Sequence, residues 1–454
     1  MEQAVKKTNF TNMTEGRLWQ QILLFSLPIF GASVLQQVYN MVDVWYVGHY
    51  VGADAIAAIG GATTSFILLN IALFNGFSTA VTVLIGQTYG SGQSKKVIPI
   101  IQNAIVICLI LGIVLCGIIQ IIAPHILRLC SVPEEVMGMA VTYLRIYFSG
   151  TVSVFLYNVG AGILRALGDS RHTLYVLGMC CIINVIADAL FVGRLQLGVA
   201  GAAVATVIAQ TVSAVVTLYL LLNKKSEFTF ALHSIRVDGG IQKTIIRMAV
   251  PCSIQSMFYS VANLIFQAVI NSYGTAAVAS VSIYNKADMV CWWAAESFGI
   301  ALTTVVAQNY GAGKKARVRE SVRLGLVLAV ITEIVFAILF MAGAEWYFSF
   351  FTQEQAVIDA GVWITRKIAP FFVTYVFLQI FSGAVKGTGK TVAPMVITFL
   401  GICVLRIVWV LGVHWMKPGD FLLVLYNYPV TWITTSTVFV IYYFINNRKE
   451  AADL

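Results

Sequence analysis

Gln87-Thr-Tyr-Gly90-Ser-Gly-Gln-Ser-Lys-Lys-Val97 returns 221 residues later as Gln308-Asn-Tyr-Gly311-Ala-Gly-Lys-Lys-Ala-Arg-Val318. Gly162-Ile-Leu-Arg165-Ala-Leu-Gly168 returns at the same offset of 221 as Gly383-Ala-Val-Lys386-Gly-Thr-Gly389. Gly52 and Gly274 are 222 apart, and Pro28 and Pro251 are 223 apart. Chance matches would scatter in spacing. Motifs about seventy residues apart that keep one offset mark a duplicated chain.

The material between the repeats is apolar. Of 454 residues, 59% are hydrophobic and 11% charged, against about 25% charged in a soluble domain. A mean hydropathy of +0.84 would leave a water-soluble chain with an apolar surface, so lipid must be its main solvent. Runs long enough to cross a bilayer fall at 18–45, 54–89, 97–124, 134–162, 173–193, 198–223, 243–272, 275–309, 320–345, 356–385, 392–415 and 420–445. The run 54–89 lacks a charged break and is read as one long, tilted or broken helix. Residues 1–17 are polar and carry both charge signs, and no A-x-A cleavage site follows the first apolar run, which reads as a membrane helix rather than a signal peptide.

Twelve spans in two copies make an all-α protein of two six-helix repeats: an N-lobe at 18–223, a linker at 224–242, a C-lobe at 243–445 and a tail at 446–454. Six is even, so both halves enter the membrane from the same side, as parallel repeats around a central cleft near the midplane. Nineteen Lys and Arg fall in the loops on the side of the termini, against Arg128, Arg194 and Lys417 on the other. Both termini are therefore expected in the cytoplasm of a multi-pass cell-membrane protein. The same asymmetry accounts for the net charge of +9 without a nucleic-acid partner. The eight cysteines show no CxxC or Cys/His spacing and read as inert core thiols.

Two carboxylates interrupt the apolar runs of the first half, Asp43 and Asp188. An acid at the bilayer centre costs about 2.5 to 3.5 kcal/mol on insertion scales, which marks a functional candidate. Asn184 and Asp188 stand at i and i+4, on one helix face. Oxygen ligands without sulfur or imidazole suit a hard cation such as Na⁺, or a carboxylate pair sharing one proton. In the second half, Lys286 and Asp288 either pair locally or line the cleft with Glu296, and Glu333 reads as a lobe-internal or interface residue. Arg145 and Arg406 are charges able to neutralise such acids. Tyr39, Trp45, Tyr157, Tyr259, Tyr284, Trp292 and Trp293 offer cation-π faces or interface anchors.

The chain resembles the multidrug and toxic compound extrusion (MATE) family over nearly its whole length. The resemblance rests on Pro28, Gln36-Gln-Val-Tyr-Asn-Met-Val-Asp43-Val-Trp-Tyr-Val-Gly48, Gly52-Ala-Asp-Ala-Ile-Ala-Ala and the paired Gln-x-Tyr-Gly-x-Gly. It rests also on Gly162-Ile-Leu-Arg165-Ala-Leu-Gly168-Asp169, Asn184-Val-Ile-Ala-Asp188 and Gly198-Val-Ala-Gly-Ala-Ala-Val-Ala-Thr206. It implies a secondary antiporter, active as a monomer, that exports cationic or amphipathic drugs by alternating access in exchange for Na⁺ or H⁺, with no other cofactor. It also implies a cation site at Asp43, Asn184, Asp188 and Thr206, a hinge at Pro28, and a substrate cleft for which Gln37, Tyr39, Asn158, Gln255, Tyr259, Asp288 and Glu296 are the candidates. The other readings are that Asp188 pairs with Arg194 and that Thr206 bonds back to its own helix. The neutral oxygens of Asn184 and Thr206 favour Na⁺ over a proton.

The second half departs from this pattern. At the common offset Asn184 becomes Leu405 and Asp188 becomes Trp409, while the stretches 251–274 of span seven and 368–385 of span ten contain no acid and offer Gln255, Tyr259 and Tyr375. Coupling is therefore expected in the first half. No GxxxxGK[ST], HExxH or GxSxG string occurs, which argues against an ATP-driven pump or a hydrolase. The alternative function is a flippase for lipid-linked saccharides, which would call for more basic cleft residues; a lipid-modifying enzyme would need a His-rich or paired-acid cluster.

Overall fold

The computed structural model describes residues 11–130, 132–222, 236–417 and 419–452, all helices and connections with no strand among them. Helices are what lipid permits, because each satisfies its own backbone N–H and C=O groups where no water can. Eleven helices among the described residues are long and apolar enough to cross a membrane: Leu18–Tyr50, Ala53–Gly90, Ser94–Leu129, Arg171–Arg194, Gly198–Leu222, Gly239–Tyr273, Ala277–Gly311, Lys315–Phe351, Gln355–Gly387, Val392–Met416 and Phe421–Arg448. A twelfth is the pair Glu134–Ser149 and Thr151–Ala166, bent by 49°. In chain order these are spans one to twelve, with the bent pair as span four. Span two breaks at Gly60, between Ala53–Ile59 and Gly61–Gly90.

Spans three and nine are the most apolar and among the least enclosed by protein. Span three turns Leu109, Ile110, Ile113, Val114, Ile118 and Ile121 outward, and span nine does the same with Val327, Ile331, Val335, Ile338 and Leu339. Rows of exposed aliphatic side chains of this length are stable only against acyl chains.

The described residues divide into two compact units. Unit one holds residues 11–13 and 27–253, and unit two holds 14–26 and 254 onward. The division thus falls inside spans one and seven, beside Pro28 and Pro251, rather than in the linker. The reason is local. Before span seven, the Asn103 amide donates to the Arg236 carbonyl (3.1 Å) and accepts from the Asp238 N–H (2.9 Å). Farther along that span, the Ser253 hydroxyl bonds the Leu73 carbonyl at 2.8 Å. The approach to span one is held likewise in unit two, by Lys314 Nζ on the Thr14 carbonyl (2.9 Å) and Arg317 on the Gly16 carbonyl (3.0 Å). The expected linker lies outside the described residues as far as residue 235, and span seven starts already at Gly239.

Within each unit the packing repeats. Span two packs on span four, four on three and six, and five on six; in unit two, eight packs on ten, ten on nine and twelve, and eleven on twelve. The contact that fixes this arrangement is glycine on helix. A Cβ at Gly162 would lie 2.3 Å from Ser78 Oγ, and one at Gly383 would lie 2.5 Å from the Gly299 carbonyl. Ser78 and Gly299 are themselves 221 apart. Thr82 Oγ1 seals the first contact by donating to the Gly162 carbonyl at 2.9 Å. Gly168 and Gly389 then end their helices at the same φ of +87°, a left-handed turn that favours glycine.

Candidate functional site

Four helices of unit one converge on Asp43 and Asp188. Span one supplies Tyr39 and Asp43, span five supplies Asn184 and Asp188, span six supplies Thr206, and the first helix of span four supplies Tyr143 and Tyr147. Asn184 and Asp188 are fully enclosed, and Thr206, Tyr39 and Asp43 are at most 8% exposed. The two carboxyls lie against one another. No N–H or O–H reaches either oxygen of Asp188 or Oδ1 of Asp43, and both amide atoms of Asn184 are likewise without a partner. Moving an ionised carboxylate out of water costs several kcal/mol, recovered only by a counter-charge or by hydrogen bonds. Two facing carboxyls with no donor on three of their four oxygens therefore call for a proton or a cation.

The neutral groups fit that demand. Thr206 Oγ1 donates to the Ala202 carbonyl at 3.0 Å and accepts from Tyr39 Oη at 3.4 Å. A hydroxyl has two lone pairs, so one remains. Back-bonding along span six and a ligating role are thus compatible. The reading that Asp188 pairs with Arg194 does not hold, since nothing bonds either Asp188 oxygen. The π-helical turn Ala189–Arg194 follows Asp188 directly, and such turns, one residue wider than an α turn, recur at functional sites.

Sequence reading missed Tyr143 and Tyr147. Both are buried, their rings stack at 6.2 Å, and both lie near Asp43. Their i, i+4 spacing was the available signal, yet tyrosine pairs at that spacing are also ordinary packing. Tyr39, expected in the cleft, is instead buried beside the acids.

The remaining candidates are dispersed. Gln37 and Asn158 are half-buried, and the Asn158 amide bonds its own helix at the Val154 carbonyl (2.8 Å). In unit two, Gln255 is buried and donates to Thr398 (2.8 Å) and Ser382 (3.3 Å). Tyr259 is half-buried, and exposed Glu296 lies near Tyr259 and Tyr375. Lys286 rests over the Phe351 ring at 5.4 Å, whereas Asp288 is only 5% exposed, among Tyr284, Trp292 and Tyr428. Glu333 is enclosed in span nine. Arg145 reaches the Gln120 carbonyl rather than an acid, and Trp45, stacked on His49, is exposed as an interface anchor would be. All eight cysteines are free thiols, but they are not all core residues: Cys116 and Cys181 are half-buried and Cys130 is exposed.

Comparison with known proteins is consistent throughout. The MatE family profile matches residues 28–190 and 251–410, once in each half. The chain is 28% identical to a probable multidrug resistance protein, YoeA, of Bacillus subtilis, over 96% of both chains. It is 26% identical to the probable multidrug resistance protein NorM of Thermotoga maritima, covering 86% of this chain and 84% of that one. A solved structure described as the outward-facing conformation of a multidrug resistance MATE family transporter superposes with a TM-score of 0.90 at 21% identity, covering 97% of this chain and 98% of the other.

Proposed function

The chain belongs to the MatE family of multidrug extrusion transporters, and from that premise we propose that it is a secondary antiporter exporting cationic or amphipathic drugs against an inward cation gradient. The observation that carries the reading is the buried carboxyl pair Asp43 and Asp188, in which neither Asp188 oxygen nor Asp43 Oδ1 has a donor. Na⁺ is the favoured ion, because Asn184 and Thr206 offer neutral oxygens that a proton would not need. The chain works as a monomer in the cell membrane, with both termini in the cytoplasm.

In this mechanism the cation is co-substrate. Asp43 and Asp188 supply the charge, Asn184 and Thr206 complete the oxygen shell, and Tyr39 orients the Thr206 hydroxyl. Binding neutralises the repulsion between the carboxyls and draws spans one and five together. Span one is the weaker partner, since Pro28 removes one helical N–H and the unit boundary falls at Ser26 and Leu27. Repacking there disfavours the drug-bound state, so ion and drug bias one two-state element in opposite senses. Release of the ion into the cytoplasm resets the transporter.

Efflux of a cationic dye from proteoliposomes tests the proposal. An imposed Na⁺ gradient at equal pH is expected to drive export; a pH gradient alone driving it equally would assign the proton instead, and neither driving it would overturn antiport. The orientation has its own test. Single cysteines at residues 94 and 274 are expected to react with impermeant maleimide from opposite faces, and labelling from one face overturns the topology.

A further inference from the structure

The second half carries a cation of its own. Arg406, only 1% exposed, donates from Nη1 to Asn263 Oδ1 at 2.7 Å and from Nη2 to Thr431 Oγ1 at 3.4 Å. Its guanidinium carbon lies 4.9 Å from the centre of the Tyr428 ring. The partners are an amide, a hydroxyl and a π face, all neutral. They come from spans seven and twelve, and Arg406 itself from span eleven.

Spans seven, eleven and twelve are the repeat counterparts of spans one, five and six, which hold Asp43, Asn184 with Asp188, and Thr206. At the proline offset of 223, Asn263 corresponds to Asn40, three residues before Asp43; at 221, Thr431 corresponds to Gln210, four residues after Thr206. Consecutive spans run in opposite directions, so both displacements are about one turn toward the same membrane face. Three of the four ligands of the first half are themselves lost, Asp43 becoming Phe266, Asn184 Leu405 and Asp188 Trp409, while Thr206 becomes the buried amide Asn427.

The π-helical turns explain why Arg406 enters. In span five the wide turn, Ala189–Arg194, follows the ligands; in span eleven it is Phe399–Val404 and comes before Leu405. A π turn takes up one residue more than an α turn. Residues beyond it are advanced by one position, so Arg406 rather than Leu405 takes the face that Asn184 holds in span five.

We propose that Arg406 is a tethered cation that permanently fills, in the second half, the three-helix cage left open for the coupling ion in the first. It cross-links spans seven, eleven and twelve as the exchangeable ion cross-links one, five and six, and it leaves that cage of the second half with no room for an exchangeable cation. The comparison with an exchangeable ion rests on the coupling site proposed above, but the cage itself is tested without transport. Arg406→Ala opens the cage, and the exposed side of Asn263 gives a small cation a way in.

The measurement is thermal melting of the purified full chain in detergent with and without millimolar methylguanidinium, against tetramethylammonium at equal ionic strength. The Ala variant is expected to melt several degrees below the parent and to recover part of that loss saturably with methylguanidinium only; the parent is expected not to respond. Equal response of parent and variant, or no response in a folded variant, overturns the proposal. Should Arg406→Ala not be recovered folded, Arg406→Lys decides: a cage that needs charge yields a folded Lys variant melting below the parent and insensitive to methylguanidinium. A Lys variant lost as completely as the Ala variant would mean that shape rather than charge matters there. Undiminished export in Asp43→Asn and Asp188→Asn would reject the coupling site while leaving the melting result standing.

Discussion

Gradient-driven export is expected to fall at least about tenfold in Asp188→Asn and in Asp43→Asn, which is the loss of about 1.4 kcal/mol of coupling and a lower bound for removing a charged ligand from an enclosed site. Asparagine is close in size to aspartate, and no structural donor bonds either Asp188 oxygen, so the fold should survive. The charge does not. With one carboxyl left, the repulsion that a cation relieves is gone, and the two-state element loses its bias toward the ion-bound form. Downhill equilibration of the dye should persist, which separates lost coupling from lost protein. Because the acids act as one unit, the double variant should cost little more than either single one. Full gradient-driven export in both single variants would reject the site.

The second large effect concerns assembly. Gly162→Val and Gly383→Val should each prevent recovery of monodisperse protein. Overpacking a core costs about 1–3 kcal/mol where side chains can yield, and at Gly383 the obstacle is the backbone carbonyl of Gly299, 2.5 Å from the added Cβ. At Gly162 the valine would also meet Ser78 and Thr82, disturbing the bond from Thr82 to the Gly162 carbonyl. Gly343→Val, on span nine with nothing within 4 Å of its Cβ, is the control and should be tolerated. Equal recovery and melting of all three would show that the glycine contacts do not limit helix approach. Both halves are expected to respond because the contact positions correspond, 221 residues apart, although the obstacle is a side-chain hydroxyl at Gly162 and a backbone carbonyl at Gly383.

Much of the protein was legible one residue at a time. Composition named the solvent, and apolar runs placed the spans to within a few residues, because transfer from water to lipid is nearly additive along a helix. The length of span two without a charged interruption read as one long helix, tilted or broken, and the structure has it broken at Gly60. The wide bend of span four was not, since Ser149 and Gly150 are unremarkable in an apolar run. Asp43, Asn184 and Asp188 stood out because acids and amides are costly in lipid.

Side-chain meetings were another matter. That Tyr143 and Tyr147 lie near Asp43, that Tyr39 donates to Thr206, and that Lys286 sits over Phe351 while Asp288 is buried among aromatic rings depend on how helices far apart in the chain rotate about their axes. A sequence records that a residue is polar, but not which neighbour its face meets. Arg406 is the sharpest instance: counting along the repeat aligns Leu405 with Asn184 and leaves the arginine unexplained, and only the position of one π turn brings its guanidinium into the cage. The sequence by itself determined the solvent, the span count and the duplication, because each is a sum over local transfer energies or a comparison of the chain with itself. Tertiary structure alone decided which charges face each other, because one inserted residue in a turn rotates every side chain beyond it.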